Sequence, residues 1–182
     1  MIEFGWGAAL LTLTLQRIAE LWWARQNERR LFAAGGVEYG RSHLVLIVLV
    51  HAAWLIGMWA LEYDRPVEPL FLVIVVLFQI GRFWVLGTLG RRWTIRIIVV
   101  RGEKLVTRGP YRWLRHPNYV VVTGEIAAVP LALGLPLYAL AFSILNAVVL
   151  AIRIPAENVA LLNSQKDFWQ TSDKSTMQLL SD

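Results

Sequence analysis

Cysteine is absent from the 182 residues, which removes disulfide scaffolds, thiolate metal sites, iron–sulfur clusters and a cysteine nucleophile from consideration. Histidine is nearly as scarce. The three residues His43, His51 and His116 show no His-x-x-x-His or His-Glu-x-x-His spacing, so no metal site is expected. Charge is thin as well, at 17% of the chain against about 25% in a soluble domain. Acidic residues number 13 against 18 basic ones, a formal net charge of +5. The space is filled by apolar residues, 57% of the chain, with nine tryptophans and a mean hydropathy of +0.51. A chain so apolar does not stay disordered, and at this length it cannot hide that surface within one soluble domain.

Five apolar stretches, 4–24, 44–61, 69–87, 119–135 and 136–154, approach the ~20 residues a helix needs to cross a bilayer. The expected fold is an all-α integral membrane protein, a single domain over 1–182 with five transmembrane helices. The fourth stretch is the weakest, because Glu125 and Pro130 interrupt it, and the last two meet at Leu135-Pro136 as a tight helical hairpin. The first lacks the preceding basic residue and small-residue cleavage site of a signal peptide. Fifteen of the eighteen basic residues fall on alternate loops or their edges, over 25–41, 88–118 and 153–182. On the other side Arg65 stands beside Glu62, Asp64 and Glu68. The positive-inside rule then puts the N-terminus outside and the loop 88–118 and C-terminal segment 155–182 in the cytosol. The basic surplus thus reads as topology, and nucleic acid is not an expected partner. The tail from Leu162 is expected to form a short amphipathic helix.

Arg17 and Arg82 lie inside predicted spans, where a charge costs at least ~2.5–3.5 kcal/mol and normally faces a partner or a polar cavity. Gln16, Arg17 and Glu20 form one cluster, Gln79 and Arg82 a second, and Glu125 is a further acidic point. Two readings stand: internal ion pairs that fix helix packing, or the lining of a polar, substrate-binding pocket formed by Arg17, Glu20 and Arg82. His51, alone in mid-span, reads as a hydrogen-bonded packing residue.

The loop between spans 3 and 4 is the most informative stretch. The β-branched run 93–100, then Arg101-Gly102-Glu103-Lys104 and Leu105-Val106-Thr107, predicts a short hairpin at the membrane face. Gly109-Pro110 forces a turn, and Pro117 keeps His116 out of helical geometry. Tyr111, His116, Asn118 and Tyr119 are therefore presented from constrained backbone beside a span. Tyrosine faces suit a cationic, polar cofactor, and no Walker-type loop suggests a bare phosphate. Downstream, Asn146, Arg153 and Glu157 share one helical face with Pro155 between them. Arg153 and Glu157 are either a simple i,i+4 pair or one cation and one anion delivered to a pocket.

The run Gly109-Pro110-Tyr111-Arg112-x-x-Arg115-His116-Pro117-Asn118-Tyr119, followed by Arg153-x-x-x-Glu157, resembles the isoprenylcysteine carboxyl methyltransferase family. The resemblance covers most of the chain and implies an integral membrane enzyme that uses S-adenosylmethionine, expected in a bacterial inner membrane. Gln16-Arg17-x-x-Glu20 and Arg91-Arg92-Trp93-Thr94-x-x-Ile97-Ile98 look most like a bacterial branch linked with type III polyketide synthases. The acceptor implied is lipophilic: an isoprenylcysteine-type carboxylate or an alkylpyrone- or alkylresorcinol-type hydroxyl, entering from the bilayer among membrane lipids. Carried over by position, Lys104, Leu105, Val106, Tyr111, His116, Pro117, Asn118, Tyr119 and Glu157 would bind the cofactor. Arg153 would direct the acceptor. A hydroxyl acceptor would also need a base, for which His116 or a water-linked Glu is the candidate. Three positions depart from the pattern: Glu103 where relatives usually carry His, Arg96 where they often carry Gln, and Asn158 where many have a second Glu. These departures bear on the acceptor more than on the cofactor.

Two other functions compete. A nicotinamide-dependent lipid reductase is one, because membrane sterol reductases contain a similar Arg-His-Pro-Asn-Tyr element. The other is a non-catalytic membrane adaptor, which leaves the constrained His116 and the Arg153/Glu157 face without a role.

Overall fold

The computed structural model describes the backbone of residues 6–61 and 67–179 and the side chains of 7–61 and 67–165. The predicted loop charges Glu62, Asp64 and Arg65, and the start of the first span at Phe4, lie outside the described residues. The described elements are α1 (Trp6–Ala33), β1 (Val37–Tyr39), α2 (Arg41–Ala60), α3 (Pro69–Leu89), β2 (Ile97–Val99), α4 (Pro117–Ala132) and α5 (Pro136–Leu179). Among the described residues three helices are long and apolar enough to cross a membrane: α2, α3 with its short extension to Arg92, and α5 over Pro136–Gln165. The chain is accordingly a helical membrane protein. The other two helices carry their cores differently. The 28-residue α1 is polar and arginine-rich over its second half, and α4, at 16 residues, is short of the ~20 a span needs.

Shortness suits α4 to a central position, packed against both α3 and α5. Its Val122, Ile126 and Val129 join Leu10, Leu13, Trp54 and Met58 in the main apolar core. Gly124 is there for proximity, since a Cβ at that position would sit 2.0 Å from the Phe78 ring on α3. Pro130, inside α4, has no N–H for the Ile126 carbonyl one turn back. The Trp54 indole of α2 supplies the missing donor at 3.2 Å, so the break in one helix becomes a link to another. The turn to α5 spans only Leu133–Leu135, closed by Leu135 N–H donating to the Pro130 carbonyl at 2.9 Å. Thr123 then meets Asn146 at 3.4 Å and Tyr119 meets Arg153 at 2.9 Å, so α4 and α5 run antiparallel.

Two expectations need correction. The run 93–100 does form a strand, but β2 pairs antiparallel with β1 from the first loop, Val37 opposite Val99 and Tyr39 opposite Ile97, and not with 105–107. Gly102, at φ +76°, turns the chain, and the segment after it stays extended without a strand partner. The tail is not a separate short helix. α5 continues as one helix through Pro155 to Leu179, which lifts the Arg153–Glu157 face clear of the apolar core and against β2.

The charges inside the helices resolve into one network. Arg17 of α1 contacts Glu20 at 3.0 Å and Glu125 of α4 at 2.8 Å. Arg82 of α3 contacts the same two carboxylates at 3.0 and 3.4 Å. Gln16 bridges Glu20 and Gln79, both at 2.9 Å. Two cations and two anions cancel, which is what removal from water requires of buried charges. Replacing Glu125 by Ala would leave both guanidiniums short of a counter-charge, and we expect a loss of about 3–5 kcal/mol. Thermal unfolding of the detergent-solubilised variant checks this, with the conservative Glu125→Gln falling between the two.

Candidate functional site

Beyond the ends of α3 and α4 the chain folds over a cleft of about 460 Å³. One wall is the segment 103–107 with Tyr111 and the 112–116 stretch; the opposite wall is α5 from Arg153 to Ser164, with β2 and Leu31 of α1 at the back. Local sequence builds each wall. Gly109, at φ +59°, starts a tight turn over Gly109–Arg112, and a Cβ there would lie 2.4 Å from Thr88 Oγ1. Pro117 opens α4 at its first position, which holds His116 in a non-helical conformation (φ −130°, ψ 63°) and turns its ring toward α5. Asn27 donates to the Gly90 and Trp93 carbonyls at 3.2 and 2.9 Å, pinning the start of the loop to α1.

Six chemically active groups meet in this cleft. His116 Nε2 lies 2.9 Å from Asn158 Oδ1, and its Nδ1 lies 3.6 Å from Glu157 Oε1. The ring stacks on Tyr119 at 5.4 Å. The Tyr119 hydroxyl donates to Glu157 and accepts from Arg153 Nε at 2.9 Å. Arg153, itself buried, also donates to the Ile95 carbonyl. Asn118 Oδ1 is shielded from water and accepts no hydrogen bond. Both ring nitrogens of His116 face acceptors, and Glu157 above all holds its pKa above the ordinary imidazole value against the opposing effect of burial. Burial, aided by Glu157, pushes the Tyr111 phenol up, so it stays neutral.

Of the residues singled out from sequence, Lys104, Leu105, Val106, Tyr111, His116, Asn118, Tyr119, Arg153 and Glu157 all line the cleft. Pro117 does not; it sets the helix start. Arg17, Glu20 and Arg82 are not among the lining residues either, being committed to the network inside the bundle. Asn146 faces Thr123 in the α4–α5 seam, and His51 donates to its own helix's Ile47 carbonyl at 2.9 Å. The departures Glu103 and Arg96 have local partners: Glu103 pairs with Arg92 at 3.0 Å, and Arg96 with Glu28 and Glu38 at 3.3 and 2.8 Å. Sequence reasoning missed Leu161 and Ser164, although extending the Arg153–Glu157 spacing by four and then three residues reaches both. It also missed Asn158 as the partner of His116, and no spacing rule joins positions 42 residues apart.

Fold and cleft together define a helical membrane protein with a part-buried cleft, lined by several ionisable side chains, at one end of its bundle. The model of the isoprenylcysteine carboxyl methyltransferase (ICMT) family matches residues 71–163, the stretch that contains most of the cleft. An uncharacterized protein, YpbQ, of Bacillus subtilis (strain 168) is 41% identical over 154 residues, 82% of this chain and 92% of that protein. An uncharacterized protein of Haemophilus influenzae is 24% identical over 151 residues, 75% and 83% of the two chains. The chain belongs to the ICMT family. Membership of that family suggests a membrane methyltransferase.

The raised pKa of His116 has a signed consequence. Its contacts with Glu157 and Asn158 stabilise the fold fully below the unfolded-state value of ~6.5, and that contribution is lost as pH rises through the higher folded-state value. The melting-temperature gap between wild type and His116→Gln is therefore expected to be widest near pH ~6 and to close at alkaline pH. A pH series of unfolding scans on both proteins measures it.

Proposed function

We propose that the protein is an S-adenosylmethionine-dependent O-methyltransferase acting on a lipophilic acceptor at the membrane–cytosol interface. The observation that carries this reading is the convergence of nine residues, spread from Lys104 to Glu157, on one cleft at the end of a membrane bundle. The cleft fits the donor on its own features. Its volume lies within the ~300–1,000 Å³ of small-molecule sites. Asn118 offers an unsatisfied acceptor, Glu157 a carboxylate, and the Tyr111 and Tyr119 rings faces for a cation. When bound there, S-adenosylmethionine supplies an electrophilic methyl group on a sulfonium.

The chain's own residues then bind, align and exclude water. Glu157 and Asn118 would hold the polar end of the donor, and Lys104–Val106 would contact it through their backbone. Arg153 orients the acceptor oxygen: a carboxylate arrives ionised and needs only that cation. A hydroxyl acceptor must also lose a proton, and His116 accepts one only above its raised pKa, so hydroxyl methylation on this reading strengthens toward alkaline pH.

The same reading extends to topology. At 1.5 Å per residue α1 is about 42 Å long and α4 about 24 Å, so α1 can span a ~30 Å core and α4 can nearly do so within the bundle. With α2, α3 and α5 this makes five spans ending in the α4–α5 hairpin. On this reading the positive-inside rule, applied to the basic loops, supports a cleft and C-terminus in the cytosol of a bacterial inner membrane and an N-terminus outside. The acceptor's tail approaches from the lipid, and the donor from the cytosol.

Titration of the detergent-solubilised protein with S-adenosylmethionine and S-adenosylhomocysteine tests the assignment, and no binding of either ends it. Glu157→Ala is expected to weaken adenosyl-ligand binding at least tenfold, about 1.4 kcal/mol. Arg153→Ala is expected to keep that binding and lose methyl transfer to a labelled lipid extract. The reverse pattern would reassign the two residues.

A further inference from the structure

Arg153 and Glu157 stand four residues apart on α5, a spacing that puts side chains within reach of a direct ion pair. Among the described residues they do not make one. The Tyr119 hydroxyl, arriving from the start of α4, lies between them, accepting from Arg153 Nε at 2.9 Å and donating to Glu157. Arg153 spends a second donor on the Ile95 carbonyl, and Glu157 Oε1 faces His116 at 3.6 Å. Both charged groups line the cleft, and Arg153 is buried, so a direct pair between them would be little screened and hard to break.

We infer that Tyr119 is a positioning residue that separates Arg153 from Glu157, so that the two charges stay available to different ligands instead of neutralising each other. The inference rests on the methyltransferase reading above, in which Glu157 serves the donor and Arg153 the acceptor. Tyr119 suits this task. Its ring is held by stacking on His116 at 5.4 Å, and its hydroxyl is at once an acceptor for the cation and a donor to the anion. Remove the oxygen and keep the ring, and the i,i+4 pair closes, which ties up the carboxylate that the donor needs.

The test compares S-adenosylhomocysteine affinity and melting temperature in wild type, Tyr119→Phe, Arg153→Ala and the double variant Tyr119→Phe/Arg153→Ala. Tyr119→Phe is expected to bind at least tenfold more weakly, with its melting temperature within about 3 °C of wild type. The double variant is expected to regain the affinity of Arg153→Ala, because no cation is left to capture Glu157. A double variant as weak as Tyr119→Phe would make the Tyr119 hydroxyl, and not its ring alone, a direct ligand contact and overturn the inference. So would a Tyr119→Phe that binds as wild type does, or one whose melting temperature falls by many degrees. A wild type that binds no adenosyl ligand removes the methyltransferase reading itself; a wild type that binds, with no rescue in the double variant, removes only the role given to Tyr119.

Discussion

Buried charges with no water to serve them must find one another, and that constraint organises this molecule at two levels. Deep in the bundle, Arg17 and Arg82 share Glu20 and Glu125 across α1, α3 and α4. An apolar surround makes such a network costly to break and specific in geometry, because each helix must present its charge at the height of the others. α4 is the element most dependent on it: short, central and interrupted by Pro130, it is held by Glu125 on one side and by the Trp54 bond to Ile126 on another.

With α4 fixed, its first residues are fixed too, and these build the cleft. Pro117 starts the helix, His116 is held outside it, and Tyr119 one turn in meets α5. The continuation of α5 past the apolar core brings Arg153, Glu157 and Ser164 up beside the loop, and the β1–β2 pairing ties that loop back to the first one. The second charge cluster, around Tyr119, is thus a product of the first. It differs in one respect: it is part-exposed and lines a cleft, with an unsatisfied Asn118 oxygen in the wall. A network sealed inside the bundle stabilises, whereas one that opens on a cleft can also meet a ligand.

The departures from the family pattern now have local explanations. Arg96 is held between Glu28 and Glu38, and Glu103 is paired with Arg92, which also donates to the Lys104 carbonyl. These contacts fix the loop to α1 and set the course of 103–106 along the cleft. Asn158 gives His116 Nε2 an acceptor without a second negative charge beside Glu157. Trp22, Trp84 and Trp113 are exposed, and the Trp84 and Trp113 rings lie 5.8 Å apart.

Hydropathy and punctuation located the five helices, because spans need long apolar runs and Pro69, Pro117 and Pro136 each mark a helix start, but they missed how far α1 and α5 continue, to Ala33 and Leu179. The cleft residues were legible for a related reason: constrained turns and ionisable groups stand out against so apolar a background. Long-range partnership was not legible. From sequence the strand 97–99 is expected to pair with 105–107, but it pairs with Val37–Tyr39, where Tyr39, Ile97 and Val99 pack against Ala156 and Ala160 of α5. The in-span charges were compatible with a pocket or a lock, and the lock followed once three helices brought four charges to one level. Spacing alone allowed Arg153 and Glu157 to pair directly. Only the fold, by carrying a tyrosine across 34 residues of sequence into the gap, decided that they stay apart. Local chemistry is written along the chain, but which charges meet depends on distances that exist only after the helices have packed.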